Sequence, residues 1–247
     1  MLLLRVDGLS KSFGGLQAVH HVDLEIQSGE MSAIIGPNGA GKTTLFNLVT
    51  GHLRKDSGRV SFKGNDITHL APPKICRQGI ARAFQVSSIF PRFSAFDNVQ
   101  VAIMVHGGRA LDFLSNAARE VREETLRILE EVGLGDQAHV LSKFLAHGDQ
   151  KRLDIAIALA SEPELLLLDE PTAGMNPKES FKIMELVVTV ARARGMTVVF
   201  IEHDMEVVFS VADRIRVMHT GRVFAEGTPE EIRENLEVRQ IYLGEAG

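Results

Sequence analysis

The sequence predicts an α/β protein built on a mostly parallel sheet. Three observations carry this. Short apolar runs at Met31–Ile35, 165–168 and 196–201 have the composition of strands buried on both faces. Segments of helical pattern near 151–161 and 178–194 lie before and between the later runs. A glycine-rich turn separates the first run from a helical pattern over Lys42–Val49, giving a strand–loop–helix unit.

The remaining elements follow in chain order. Val22, Leu24 and Ile26 alternate with Asp23, Glu25 and Gln27, the period of a half-buried strand, and Ser28-Gly29 turns the chain into the first buried run. From 93 to 160 few strand patterns occur. Residues 116–132 are rich in Ala, Arg, Glu and Leu, and Gly133 marks a helix stop. This stretch is read as a helical lobe inserted into the α/β core, with Arg119, Glu120, Arg122, Glu123 and Glu124 on a solvated face, a docking face being the alternative. Near the end, 215–218 and 222–225 flank His219, Thr220 and Gly221 as a hairpin. The expected division is one domain over 1–247. Its core comprises 1–92 and 161–230, the inserted helical subdomain 93–160, and a helical tail 231–247.

Composition narrows the function classes. The chain has 247 residues, 45% apolar and 24% charged, enough to bury a proper core and unlike disordered, collagen-like or coiled-coil chains. A net charge of -5 and a pI near 6.0 give no bulk field for nucleic acid. The lone Cys76 excludes an intrachain disulfide scaffold, and nothing around it suggests a thiolate nucleophile. The Leu2-Leu3-Leu4 run is too short for a signal core, and no stretch reaches the roughly 18 apolar residues of a membrane span. The chain is expected in the cytosol, reaching a membrane only by way of another protein. Its histidines lack H-E-x-x-H spacing, so no zinc is expected.

The sharpest motif is Gly36-Pro37-Asn38-Gly39-Ala40-Gly41-Lys42-Thr43-Thr44, which fits G-x-x-x-x-G-K-[ST]. Its glycines let backbone N–H groups turn inward around phosphates, and the following helix points its positive end at the same anion. Lys42 should reach the β- and γ-phosphates, and the Thr43 hydroxyl should ligate Mg²⁺. The run at 165–168 ends in Asp169 and Glu170, at the strand end where a parallel sheet lines its ligand crevice. Asp169 would hold Mg²⁺ and Glu170 would address the attacking water. His203 follows another buried run and points toward the same crevice, within reach of a γ-phosphate.

Together these residues resemble the nucleotide-binding subunit of an ABC transporter, over nearly the whole chain and in the family's motif order. The resemblance implies a phosphate-loop NTPase core of RecA-like type, with an N-terminal antiparallel β portion and an inserted α-helical subdomain. It makes Phe13 the aromatic that stacks on adenine, and Gln85 the Q-loop glutamine that touches Mg²⁺ and water. Leu145-Ala146-His147-Gly148-Asp149-Gln150 aligns with the signature that caps ATP held by the opposite subunit, Ala173-Gly174-Met175-Asn176 with the D-loop, and His203 with the switch histidine. A helix start after the signature would offer the Gly148 N–H to a γ-phosphate.

The signature departs from the family pattern at Ala146, His147 and Asp149, and the D-loop at Asn176. These variants, the Asn176-Pro177 pair and the ending Ile241-Tyr242-Leu243-Gly244-Glu245 are similar to the ATPases of branched-chain or hydrophobic amino acid importers. A lipopolysaccharide-export ATPase, with a similar tail and Q-loop segment, is the alternative. The resemblance implies Mg²⁺-ATP hydrolysis with Glu170 as base, and a second ATPase subunit, identical or a sister. It also implies transmembrane permease partners, an external binding protein acting indirectly, and a place on the cytoplasmic side of the inner membrane. Permease docking is expected around 85–98, where Val86, Ile89 and Phe90 are apolar between breakers. A DNA-repair or translation ATPase would need coiled-coil insertions or paired domains. A guanine-reading enzyme would need N-K-x-D. A module that only holds ATP would not need Glu170 and His203.

Overall fold

The computed structural model describes residues 1–83, 89–107 and 116–243, with side chains described for all of these but 116, 117 and 241–243. Strands β1 (Leu2–Phe13), β2 (Leu16–Gln27), β4 (Ser57–Phe62) and β5 (Asn65–Asp66) form an antiparallel sheet in the order β2-β1-β4-β5. The second sheet runs β10-β9-β3-β8-β7-β6, from β3 (Met31–Ile35), β6 (Ile80–Ala83), β7 (Leu165–Asp169), β8 (Thr197–Ile201), β9 (Arg214–His219) and β10 (Arg222–Gly227). It is parallel except for the β9–β10 hairpin. The α/β class, with its antiparallel β portion, is thus as the sequence predicts.

The apolar runs are strands that serve two cores at once. In β7, Leu166 and Leu168 enter one core and Leu165 and Leu167 the other; in β8, Val198 and Phe200 are opposed to Val199 and Ile201. A strand alternates its side chains across the sheet, so burial on both faces needs an unbroken apolar run. One core lies between the two sheets and takes in α1 (Lys42–Val49) through Leu45 and Phe46. The other joins the opposite face to α3 (Ala95–His106), α4 (Asn116–Glu131), α5 (His147–Leu159) and α6 (Pro177–Arg194). Helices α2 (Pro72–Arg77), α7 (Met205–Val211), α8 (Pro229–Glu234) and α9 (Leu236–Leu243) complete the chain.

One boundary departs from the sequence reading by a full turn, and one strand was not read. The helix expected near 151–161 begins a turn earlier, at His147. Its N-cap, Ala146, carries no capping side chain, and Gly148 lies in the first turn, so the usual start signals are missing. The β1 strand was not readable from its residues because register shifts break its alternation.

The strand order positions the site. β3, β8 and β7 are neighbours, and their register puts Ile34 level with Ile201, and Ile201 level with Asp169. The chain therefore leaves all three strands at one height, on the carboxyl edge of the sheet.

Candidate nucleotide site

The loop leaving β3 is shaped by three glycines with positive φ: Gly36 at 153°, Gly39 at 81° and Gly41 at 98°. A Cβ on Gly36 would stand 2.1 Å from the Met218 carbonyl oxygen, and one on Gly41 2.1 Å from that of Ala18. Only glycine fits, because the loop is wedged between the ends of β9 and β2. The exposed part is Asn38-Gly39; Ala40 is buried and accepts a hydrogen bond from the Gly221 N–H at 3.1 Å. Gly41 caps α1 without a side-chain acceptor, so the first N–H groups of the helix face outward for an anion.

Lys42 is 6% exposed and curls back over the loop, its Nζ donating to the carbonyls of Gly36 at 2.6 Å and Pro37 at 3.1 Å. Burial pushes its ammonium below the usual lysine range, and Glu170 and Asp169 partly restore it. Thr43 and Thr44 follow, half-buried. The Thr43 hydroxyl donates to Asp169 Oδ1 at 3.5 Å.

Asp169 closes β7 and is 2% exposed. Arg82, on β6, donates to its Oδ2 at 2.7 Å and to Asn47 Oδ1 at 2.5 Å, and lies over the Phe46 ring. The buried carboxylate is thereby neutralised by a half-buried guanidinium. Glu170 follows with φ 54°, a left-handed backbone that few non-glycine residues adopt. Its N–H donates to the Ile201 carbonyl at 3.0 Å, and its Oε1 lies 2.8 Å from His203 Nε2. Both side chains are more than two-fifths exposed.

The structure brings Lys42, Thr43, Asp169, Glu170 and His203 to one edge of the sheet. Phe13 sits at the end of β1, 49% exposed, with the Lys11 ammonium over its ring. Ala146 and His147 are exposed at the start of α5; Gly148 and Asp149 lie in its first turn, where Asp149 accepts from Gln137 Nε2 at 3.1 Å. His147 lies against Gly174, not against the phosphate loop: a Cβ on that glycine would be 3.6 Å from its Cε1. Gln85 and Val86 lie outside the described residues. Ile89 packs against the core while Phe90 is exposed. Arg82, Glu202 and Thr172 were missed by sequence reasoning; for Arg82 and Glu202 the available signal was a charged residue within, or directly after, a short apolar strand, and Thr172 carried none.

The donor set suits magnesium. A hydroxyl and a carboxylate, both hard oxygen ligands, meet beside a cationic loop, which fits an ion completed by phosphate oxygens. Thr43 and Asp169 are the residues that would hold it.

The family profile described as ABC transporter matches residues 19–173. The chain belongs to the ABC transporter ATP-binding family. A second profile, described as branched-chain amino acid ATP-binding cassette transporter, matches residues 222–247. The chain is 40% identical to LivG of Salmonella typhimurium, a high-affinity branched-chain amino acid transport ATP-binding protein, over 99% of this chain and 98% of that one. It is also 40% identical to BraF of Pseudomonas aeruginosa, of the same description, with the same coverage. Among solved structures, an ATP-binding cassette of an ABC transporter in its ADP conformation superposes with a TM-score of 0.88 at 31% identity, covering 99% of this chain and all of the other. A dimeric cassette in a post-hydrolysis state, bound to ADP and Pi, gives 0.79 at 27% identity over 92% and 99%.

Proposed function

We propose that this chain is the ATP-hydrolysing subunit of an importer of branched-chain or other hydrophobic amino acids. The observation that carries the reading is the 40% identity to LivG across both chains nearly entire, the 222–247 segment included. That segment favours import over the lipopolysaccharide-export alternative.

In this reading Lys42 exchanges its two carbonyl partners for the β- and γ-phosphates, and the N-terminus of α1 faces the same charge. Thr43 and Asp169 would hold a magnesium ion, with Gln85 as a further contact, and the ion would supply neutralisation of phosphate charge. Glu170 takes the proton of the attacking water. His203 orients that carboxylate and donates to the γ-phosphate. Catalysis is positioning and charge stabilisation on this chain's preset groups.

The Ala146-His147-Gly148 segment, exposed at its first two residues, serves a second subunit. Lacking the usual hydroxyl at Ala146, it offers backbone N–H groups of the first turn of α5 to the partner's nucleotide. The dimeric cassette among the structural relatives supports such a pairing, with an identical copy or a sister ATPase. A cavity of about 550 Å³ opens between α2 and β6 on one side and α3 and α5 on the other, lined by Ile75, Ala81, Phe90, Val101 and Ile157. A short permease helix fits there. Among the described residues no helix is long and apolar enough to cross a membrane, consistent with peripheral attachment at the cytoplasmic face. An external binding protein then supplies the cargo without touching this chain.

The test is capture of tagged Glu170→Gln from the host's solubilised membranes with Mg²⁺-ATP, read by mass spectrometry. Recovery of multi-spanning permeases and a similar ATPase is expected. Lipid-export components, or soluble partners alone, would contradict the import reading.

A further inference from the structure

We infer that Glu202 is a positioning residue of the hydrolytic site, tying the loop behind Glu170 to the loop that carries His203. The inference rests on the hydrolytic reading of that pair. Glu202 is the first residue beyond β8 and is 3% exposed. Its Oε1 accepts from the Thr172 N–H at 2.8 Å and from the Thr172 hydroxyl at 2.7 Å. Its Oε2 accepts from the His203 N–H at 3.1 Å. One planar carboxylate thus spans two loops with three donors.

Such a group is not a packing accident. A buried carboxylate is costly unless its oxygens are satisfied, and bonds to an ionised acceptor are stronger than neutral ones. What it fixes is the pair next door. Thr172 is separated from Glu170 only by Pro171, whose ring restricts the backbone, and the Ala173 N–H closes a turn on the Glu170 carbonyl at 3.2 Å. Glu170 is anchored at its own N–H by Ile201, and two residues later by Glu202. His203 is anchored at its N–H by the same carboxylate. The 2.8 Å approach of His203 Nε2 to Glu170 Oε1 is therefore held from both sides. The phosphate loop takes no part in these bonds, so their loss is expected to slow turnover without a matching loss of ATP affinity.

This separation supplies the experiment. Glu202→Gln keeps the shape but turns one acceptor oxygen into a donor. Thr172→Val removes one of the three donors, and Thr172→Ser keeps it. ATP turnover and fluorescent-nucleotide affinity are measured on the full chain for each, with Tm as a check on folding. Glu202→Gln is expected to lower kcat by about 10- to 100-fold, the scale of an ångström-sized misplacement, with nucleotide affinity within about threefold of wild type. Thr172→Val should lose kcat less severely, Thr172→Ser should recover most of that loss, and the double variant Glu202→Gln/Thr172→Val should be no slower than Glu202→Gln alone. A Glu202→Gln enzyme with wild-type kcat, a parallel loss of affinity, or a Thr172→Ser variant as slow as Thr172→Val would overturn the inference. Absence of turnover in the wild type would instead overturn the hydrolytic reading on which it rests.

Discussion

Lys42 is a cation placed where folding alone disfavours it. Among the described residues its bonding partners are two carbonyl oxygens, and burial weakens its hold on the proton. In the proposed reading a nucleotide's phosphates bring further counter-charge to it, beyond that of Glu170 and Asp169. Lys42→Met, similar in length and apolar, should leave the Tm measured without nucleotide equal to or above wild type. It should also abolish the gain that wild type shows with ATP, which is about 2.7 kcal/mol at 100-fold excess over Kd. Because the folded lysine binds its proton less tightly than the unfolded one, wild-type stability rises with pH across the alkaline range between the two values. The gap to Lys42→Met should narrow in that range, and thermal melts at a series of pH values would show it. Arg82 makes the converse case. It satisfies a buried aspartate, and Arg82→Met strands that charge. A loss of roughly 3 kcal/mol, or about 6–12 °C in Tm, is expected by scanning calorimetry. The residues legible in the sequence were those that a motif or the end of a buried run marks: Lys42 and Thr43 in one loop, Asp169, Glu170 and His203 where apolar runs stop. Arg82 and Asp169 are 87 positions apart, and Thr172 and Glu202 are 30 apart. Those pairs exist only because β6, β7 and β8 lie side by side, and no local pattern records that.

Elements were legible where burial is complete and hidden where it is partial. The β3, β7 and β8 runs announce themselves because both faces meet a core. The short β6, with Arg82 within it, and the bulged β1 do not. Asn176 shows how an unusual residue can keep an element intact. It stands where the family more often has Asp, yet it caps α6: its Oδ1 accepts from the Glu179 N–H at 3.1 Å, and Glu179 reaches back to the Asn176 N–H. Asn and Asp cap about equally well, so the variation costs the helix little. Asn176→Ala should lower stability by about 1 kcal/mol, seen as a Tm drop of roughly 2–4 °C, and Asn176→Asp should restore it.

At the scale of the molecule, two cores hold the parallel sheet from both faces while its carboxyl edge is left for chemistry. The phosphate loop, Glu170, Glu202 and His203 all emerge at that edge because Ile34, Ile201 and Asp169 are in register. In the proposed reading the chain supplies phosphate binding and the catalytic pair, and its 146–148 segment, exposed at Ala146 and His147, completes a partner's site. The most direct test of this account is phosphate release by Glu170→Gln beside its ATP affinity. The account predicts turnover below about 1% of wild type, within the usual cost of losing a general base, with ATP still bound. Turnover near the wild-type rate would show that Glu170 is not the base and would contradict it.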